Sequence, residues 1–190
     1  MKVKEFRGGY DSNFAYLVWN EEGGVLIDAS ITSKRILKFV EENNIDLKAV
    51  FVMHSHDDHL VDLNIYGGMG VKILKNVKDD VIDLIGLKFT VIYTPGHMDD
   101  SICVLVNRKL FTSDTLFVGA IGRCDLKGSD ANDYYDSLYN KLLKLDDDVE
   151  VYPGHDYGRK RISTMGEEKE NNKYLRCKSR DEFLKLVGFY

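Results

Sequence analysis

Three histidines and two aspartates fill five of six consecutive positions, His54 to His59, in the stretch FVMHSHDDHL. The whole chain has only five histidines, so any fold it adopts must accommodate this polar cluster directly after an apolar run. The other two, His97 and His155, follow the only two prolines in matching Pro-Gly-His tripeptides. A proline fixes φ and the glycine after it turns the chain, so each tripeptide aims a histidine from a rigid turn.

Each of these residues ends a short apolar segment. AVFVM leads to His54, FTVIYTPG to His97, LFTSD to Asp114 and VEVYPG to His155. Length and β-branched content predict strands over 14–19, 24–29, 49–54, 71–75, 81–86, 89–94, 102–106, 109–114 and 150–154. Helical spacing appears over 32–44, with Ile36, Phe39 and Val40 on one face behind a Thr or Ser cap. It recurs over 130–145, with Tyr135, Leu138, Leu142 and Leu145 together, and at the C-terminus, where Ser179 and Glu182 predict a capping box. So many strands with alternating faces imply two sheets covered by helices, and a βαβ unit fits GVLIDA, the first helix and AVFVMH.

Imidazole and carboxylate together suit zinc, iron, manganese or cobalt, and a set without cysteine is not that of a closed structural zinc. His54, His56, Asp58, His59, His97, Asp114 and His155 are seven candidates, too many for one tetrahedral ion. Two ions about 3.5 Å apart, sharing a carboxylate, would use them all and leave positions open for water and substrate. The alternate side chains of His54 and His56 can meet one ion, while adjacent Asp58 and His59 diverge and can reach another. Asp57 is expected to point away from the ions, either into solvent or behind a ligand.

Other classes fit poorly. With 190 residues, 44% hydrophobic and 30% charged, the chain is expected to form a single domain spanning residues 1–190. The net charge of −5 is mild, and lysines alternate with acids, which speaks against nucleic acid as a partner. No apolar run approaches the roughly 18 residues a membrane span needs, and no apolar signal core follows the N-terminal charges, so the expected location is cytoplasmic. Cys103, Cys124 and Cys177 are too widely spaced for a zinc motif or a disulfide framework.

HSHDDH resembles the His-x-His-x-Asp-His signature of the metallo-β-lactamase superfamily, and PGH, SDT and YPGH follow in that superfamily's order. The resemblance implies an α/β fold, a four-layer αβ/βα sandwich of two mixed β-sheets flanked by helices, with the site at one edge. It implies that His54, His56 and His97 hold one metal, Asp58, His59 and His155 a second, and that Asp114 bridges them. Asp28, the penultimate residue of GVLIDA, matches an aspartate that orients the site from behind.

Within the superfamily, SDTLFVGAIGRCDLKGSD and YPGHDYG…STMGEEKENN resemble glyoxalase II-type thioesterases and persulfide dioxygenases. At 190 residues the chain is expected to lack the helical C-terminal glutathione-binding domain of full-length glyoxalase II. The implied activity is hydrolysis of a thioester such as a hydroxyacyl-glutathione, with two divalent ions, zinc first and iron or manganese next, and with Asp58 handling the proton. The alternative is oxidation of glutathione persulfide to sulfite at one Fe(II) held by His54, His97 and Asp114. A non-catalytic metal-binding or redox-sensing module is a third reading. Arg123 and Tyr157 are the candidate contacts for a small thiol-derived substrate, and the oligomeric state stays open, a dimer included.

The chain departs from that branch at five places. Asp62 and Ser113 stand where glycine is usual, Met98 and Asp100 replace Thr and Gly after the first Pro-Gly-His, Asn172 replaces a proline, and Cys124 replaces the Thr beside Arg123, an exchange that reads first as harmless and otherwise as a thiol at the pocket mouth.

Overall fold

The structure, a computed structural model, describes residues 1–188. The strands β1 (Lys2–Gly8), β2 (Asn13–Asn20), β3 (Gly23–Ile27), β4 (Leu47–Phe51) and β5 (Lys72–Leu74) form one mixed sheet in that order. The strands β6 (Asp80–Leu84), β7 (Leu87–Tyr93), β8 (Ile102–Val106), β9 (Lys109–Ser113), β10 (Glu150–Pro153) and β11 (Ser163–Thr164) form the other, in reverse order. All nine expected strands are present, their ends shifted by up to three residues. The expected βαβ unit is β3, α1 (Ser33–Glu42) and β4, with β3 and β4 parallel.

β2 shows why the sheets face each other. Phe14, Tyr16 and Val18 on one side pack with Phe51, Phe89, Val104 and Phe111 between the sheets. Ala15 and Leu17 on the other side join Ile36 and Val40 of α1 and Tyr66 of α2 (Leu63–Gly68). With period-two alternation, a strand apolar on both faces must be covered on both. The second sheet is likewise covered on its outer face by α3 (Ala131–Asp136), α4 (Met165–Asn171) and α5 (Arg180–Leu186), through Tyr134, Leu138, Leu142, Met165 and Phe183. The order helix, sheet, sheet, helix is the expected four-layer sandwich. No helix among the described residues is long and apolar enough to cross a membrane.

Several local expectations shift. α3 continues as a wider π turn over Ser137–Lys141, which carries more residues per turn, so the buried face runs through Ala131, Tyr134, Leu138 and Leu142. Tyr135 and Leu145 are only half-buried. At α5, Ser179 Oγ accepts from Glu182 N, but the Glu182 carboxylate reaches Lys178 N and not Ser179 N, so the capping box is not closed. The true capping box is at α4, between Thr164 and Glu167. Cys124 is buried among the residues under α3, where burial pushes its thiol up to about 11; it does not open onto the cleft.

Neither Thr32 nor Ser33 caps α1 with its own side chain. Asp62 does so from across the fold: its Oδ2 accepts from Ser33 N at 2.9 Å, Ser33 Oγ at 2.9 Å and Thr32 Oγ1 at 3.1 Å. Its φ is +54°, a left-handed conformation that glycine adopts freely, and the aspartate pairs that conformation with a helix cap. The Ser33 N–H holds its carboxyl below the usual carboxylate range. Asp62→Ala is expected to cost about 0.5–2 kcal/mol in urea unfolding, and Asp62→Gly less, because it loses the cap but relaxes the backbone. A depressed pKa contributes stability above the unfolded value, so the gap between wild type and Asp62→Ala should narrow as pH falls below about 4.

Candidate metal centre

The site lies at the edge where both sheets end. His54 follows β4 by three residues, and Asp57–His59 form a single 3-10 turn. His97 follows β7, Asp114 directly follows β9, and His155 follows β10. Asp100, one of the departures after the first Pro-Gly-His, accepts from Ser55 N at 3.2 Å and ties that turn to the His-Ser-His segment.

Two glycines let the turns close. Gly96 has φ +141°, and a Cβ there would lie 2.3 Å from Tyr134 Cα. Gly154 has an ordinary φ, but a Cβ would lie 2.4 Å from Asp114 Oδ1. The first needs glycine for conformation and space, the second for space alone.

All seven expected residues converge. His56 Nδ1 lies 3.2 Å from His54 Nε2 and 3.1 Å from His97 Nε2. His59 Nε2 lies 3.2 Å from His155 Nε2 and 3.4 Å from Asp58 Oδ2. Asp114 faces both sets: Oδ2 is 3.6 Å from His97 Nε2 and 3.3 Å from His155 Nε2, and Oδ1 is 3.5 Å from His59 Nε2.

Four of the five rings are held from behind through Nδ1. His59 donates to Asp28 Oδ2 at 2.7 Å, His97 to Arg123 O at 2.7 Å and His155 to Asp11 O at 2.8 Å, while His54 Nδ1 lies 3.3 Å from Ser113 Oγ. Holding Nδ1–H leaves the Nε2 lone pair free to face inward. Burial pushes His54 and His97 below the ordinary imidazole range. Burial also pushes His59 down, yet the Asp28 carboxylate beside it carries it up to about 9. Asp114 is buried, which alone would raise its pKa, but His59, His155 and His54 hold it below the usual carboxylate range.

These residues fit metal. Ligands at the usual metal–nitrogen distance of about 2.0–2.1 Å span a tetrahedron with edges of about 3.3 Å, close to the nitrogen separations within each set. Asp114 Oδ1 is buried with no hydrogen-bond partner, an arrangement costly for a carboxylate unless something cationic meets it. Donor atoms of His54, His56 and His97, of Asp58, His59 and His155, and of His54, His59 and Asp114 each lie within 4.8 Å of one another.

The cluster opens into a cleft of about 720 Å³, walled by Tyr10, Asp11, Asp57, Phe117, Arg123 and Tyr157. The Arg123 guanidinium forks onto Asp125 at 2.9 Å for both bonds. Tyr157 stacks on His155 with centroids 4.8 Å apart and donates to Asp11 Oδ2. Asp57 is exposed, as expected, and stands in the cleft wall. Sequence reasoning missed Asn13, whose buried Nδ2 donates to Asp58 Oδ2 at 2.9 Å, and Asp11 and Tyr10 beside it. Tyr10 and Asp11 sit in the turn between β1 and β2 and Asn13 opens β2; the polar residues of Gly-Gly-Tyr-Asp-Ser-Asn were their only signal.

The chain is similar to several known proteins. The hydroxyacylglutathione hydrolase of Francisella tularensis subsp. tularensis (strain WY96-3418) is 35% identical over 161 residues, 76% of this chain; the match spans 63% of that relative's length. The crystal structure of ETHE1 from Myxococcus xanthus superposes with a TM-score of 0.90 at 32% identity, covering 98% of this chain and 90% of that one. TTHA1623, solved in a di-iron-bound form, superposes with a TM-score of 0.73 at 27% identity over 90% of this chain and all of that one. The family model for the metallo-beta-lactamase superfamily matches residues 8–66 and 71–155, a span that holds every histidine of the cluster, and the chain belongs to that superfamily.

Proposed function

We propose that this protein is a metal-dependent thioester hydrolase with two divalent ions, one held by His54, His56 and His97, the other by Asp58, His59 and His155, with Asp114 between them. The observation that carries this reading is the position of Asp114, within 3.6 Å of a nitrogen from each set. Zinc suits the donors first, and iron or manganese would also be accepted. Likeness to the hydroxyacylglutathione hydrolases supports a hydroxyacyl thioester as the substrate, and a glutathione ester is the first to test.

Ions bound there would lower the pKa of water toward about 7 and polarise the thioester carbonyl. The chain's own groups do the rest. Asp58, held by Asn13 and facing the cleft, accepts the proton as the water oxygen joins the acyl carbon. The carbon–sulfur bond breaks and the sulfur leaves as thiolate, a good leaving group that needs little acid assistance. Phe117 and Tyr157 give the acyl and thiol chains an apolar wall, and Arg123 at the mouth offers a charge to the thiol's polar end.

The near full-length likeness to ETHE1 favours a second reading, persulfide oxidation at one iron held by His54, His97 and Asp114. Elemental analysis of protein purified without added metal separates the two. Two zinc ions per chain are expected, and one iron with oxygen uptake on glutathione persulfide would replace the hydrolase reading.

Thiol release from S-lactoylglutathione should stop after treatment with a strong chelator and return when divalent metal is restored. Asp58→Asn should keep at least the ion held by the first donor set and lower kcat by roughly 10²–10⁴-fold, the usual contribution of a positioned acid or base. Full activity in that variant would remove Asp58 from proton transfer.

A further inference from the structure

We propose that Ser113 is a positioning residue which ties His54 to the carboxylate that already holds His59, so that Asp28 anchors one histidine from each donor set. This inference rests on the two-ion ligand set proposed above.

Asp28 Oδ2 accepts two hydrogen bonds, from His59 Nδ1 and from Ser113 Oγ, both at 2.7 Å. A serine hydroxyl has one proton, and here it goes to Asp28. Ser113 Oγ can then only accept from His54 Nδ1, 3.3 Å away. That fixes His54 with its proton on Nδ1 and its lone pair on Nε2, the atom facing His56. Ser113, Asp28 and His54 are 5%, 2% and 1% exposed, so water is poorly placed to substitute, and hydrogen bonds in such surroundings are strengthened.

The backbone marks this hydroxyl as unusual. Ser113 has φ +44°, left-handed space that glycine enters without penalty and serine does not. A side chain is kept there despite the strain. His97 and His155 are held by main-chain carbonyls, which no substitution at Arg123 or Asp11 deletes. The chain His54–Ser113–Asp28 depends on a side-chain hydroxyl, and its far end is the oxygen that orients His59. The two donor sets are therefore joined behind the metals as well as by Asp114 between them.

The test is zinc titration by calorimetry, with a competing chelator, into metal-stripped protein. His155→Ala leaves only the first donor set complete, and His56→Ala only the second. Adding Ser113→Ala is expected to weaken zinc binding about 10–100-fold in the His155→Ala background, the usual effect of losing the partner behind a metal-bound histidine. It should leave binding in the His56→Ala background within about twofold. Ser113→Gly should give the same loss, because it too lacks the hydroxyl although it relaxes the backbone; it also serves if Ser113→Ala fails to fold. Asp28→Asn should weaken both sets, and Ser113→Ala should add little on top of it. Unchanged affinity in both serine variants, a loss confined to one of them, or an equal loss at both donor sets would overturn the proposal. A wild-type protein that binds only one zinc would overturn the two-ion set itself, whereas two zincs with indifferent serine variants would overturn only the role of Ser113.

Discussion

Imidazole rings that point their nitrogens at one another need something behind them. In water, five such rings and two carboxylates would scatter, because bringing them together costs conformational entropy and hydration. Here the fold supplies the support: a buried carboxylate behind His59, main-chain carbonyls behind His97 and His155, and a hydroxyl behind His54. Those supports come from the residue just past β3, from the loop after β9, from the β1–β2 turn and from the last residue of β9. The site therefore depends on the register of both sheets.

The apolar layer between the sheets keeps that register. Deleting a buried phenylalanine such as Phe111 costs about 3–5 kcal/mol, more than removing the cap on α1. The inner core thus governs whether the strand ends stay aligned, and the cap governs only how α1 enters. The polar tethers decide which nitrogen of each ring faces the cavity.

Much of this was legible in the sequence. Strand periods are local, so the nine segments with β-branched apolar residues could be read directly, and the motif order already grouped His54 with His56 and His97, and Asp58 with His59 and His155, residues whose donor atoms the fold gathers. β1 escaped because Lys2, Lys4, Glu5 and Arg7 obscure its alternation, with Phe6 its one fully buried residue. α4 escaped because MGEEKEN has no apolar stripe and buries only Met165 and Glu168. Asn13 and the cap from Asp62 were beyond reach for another reason: each acts on a residue roughly thirty or more positions away, and no local pattern reports such a pairing. Where glycine gave way to Asp62 and Ser113, sequence flagged the position, and only the backbone angle explained it.

The Asp11 carbonyl that holds His155 is 144 residues away from it in the chain, and Asn13 pairs in a bridge with His155 itself. During synthesis, His54 to His59 emerge long before His155 does. An ion arriving early meets a partial set of donors, lacking the ring that completes the second group. Contacts this distant in sequence cost closure entropy before they return any stabilisation. On the two-ion reading, it is retention of the second ion, the one that needs His155, that would report that synthesis has passed residue 155 and that the β1–β2 turn has closed onto that ring.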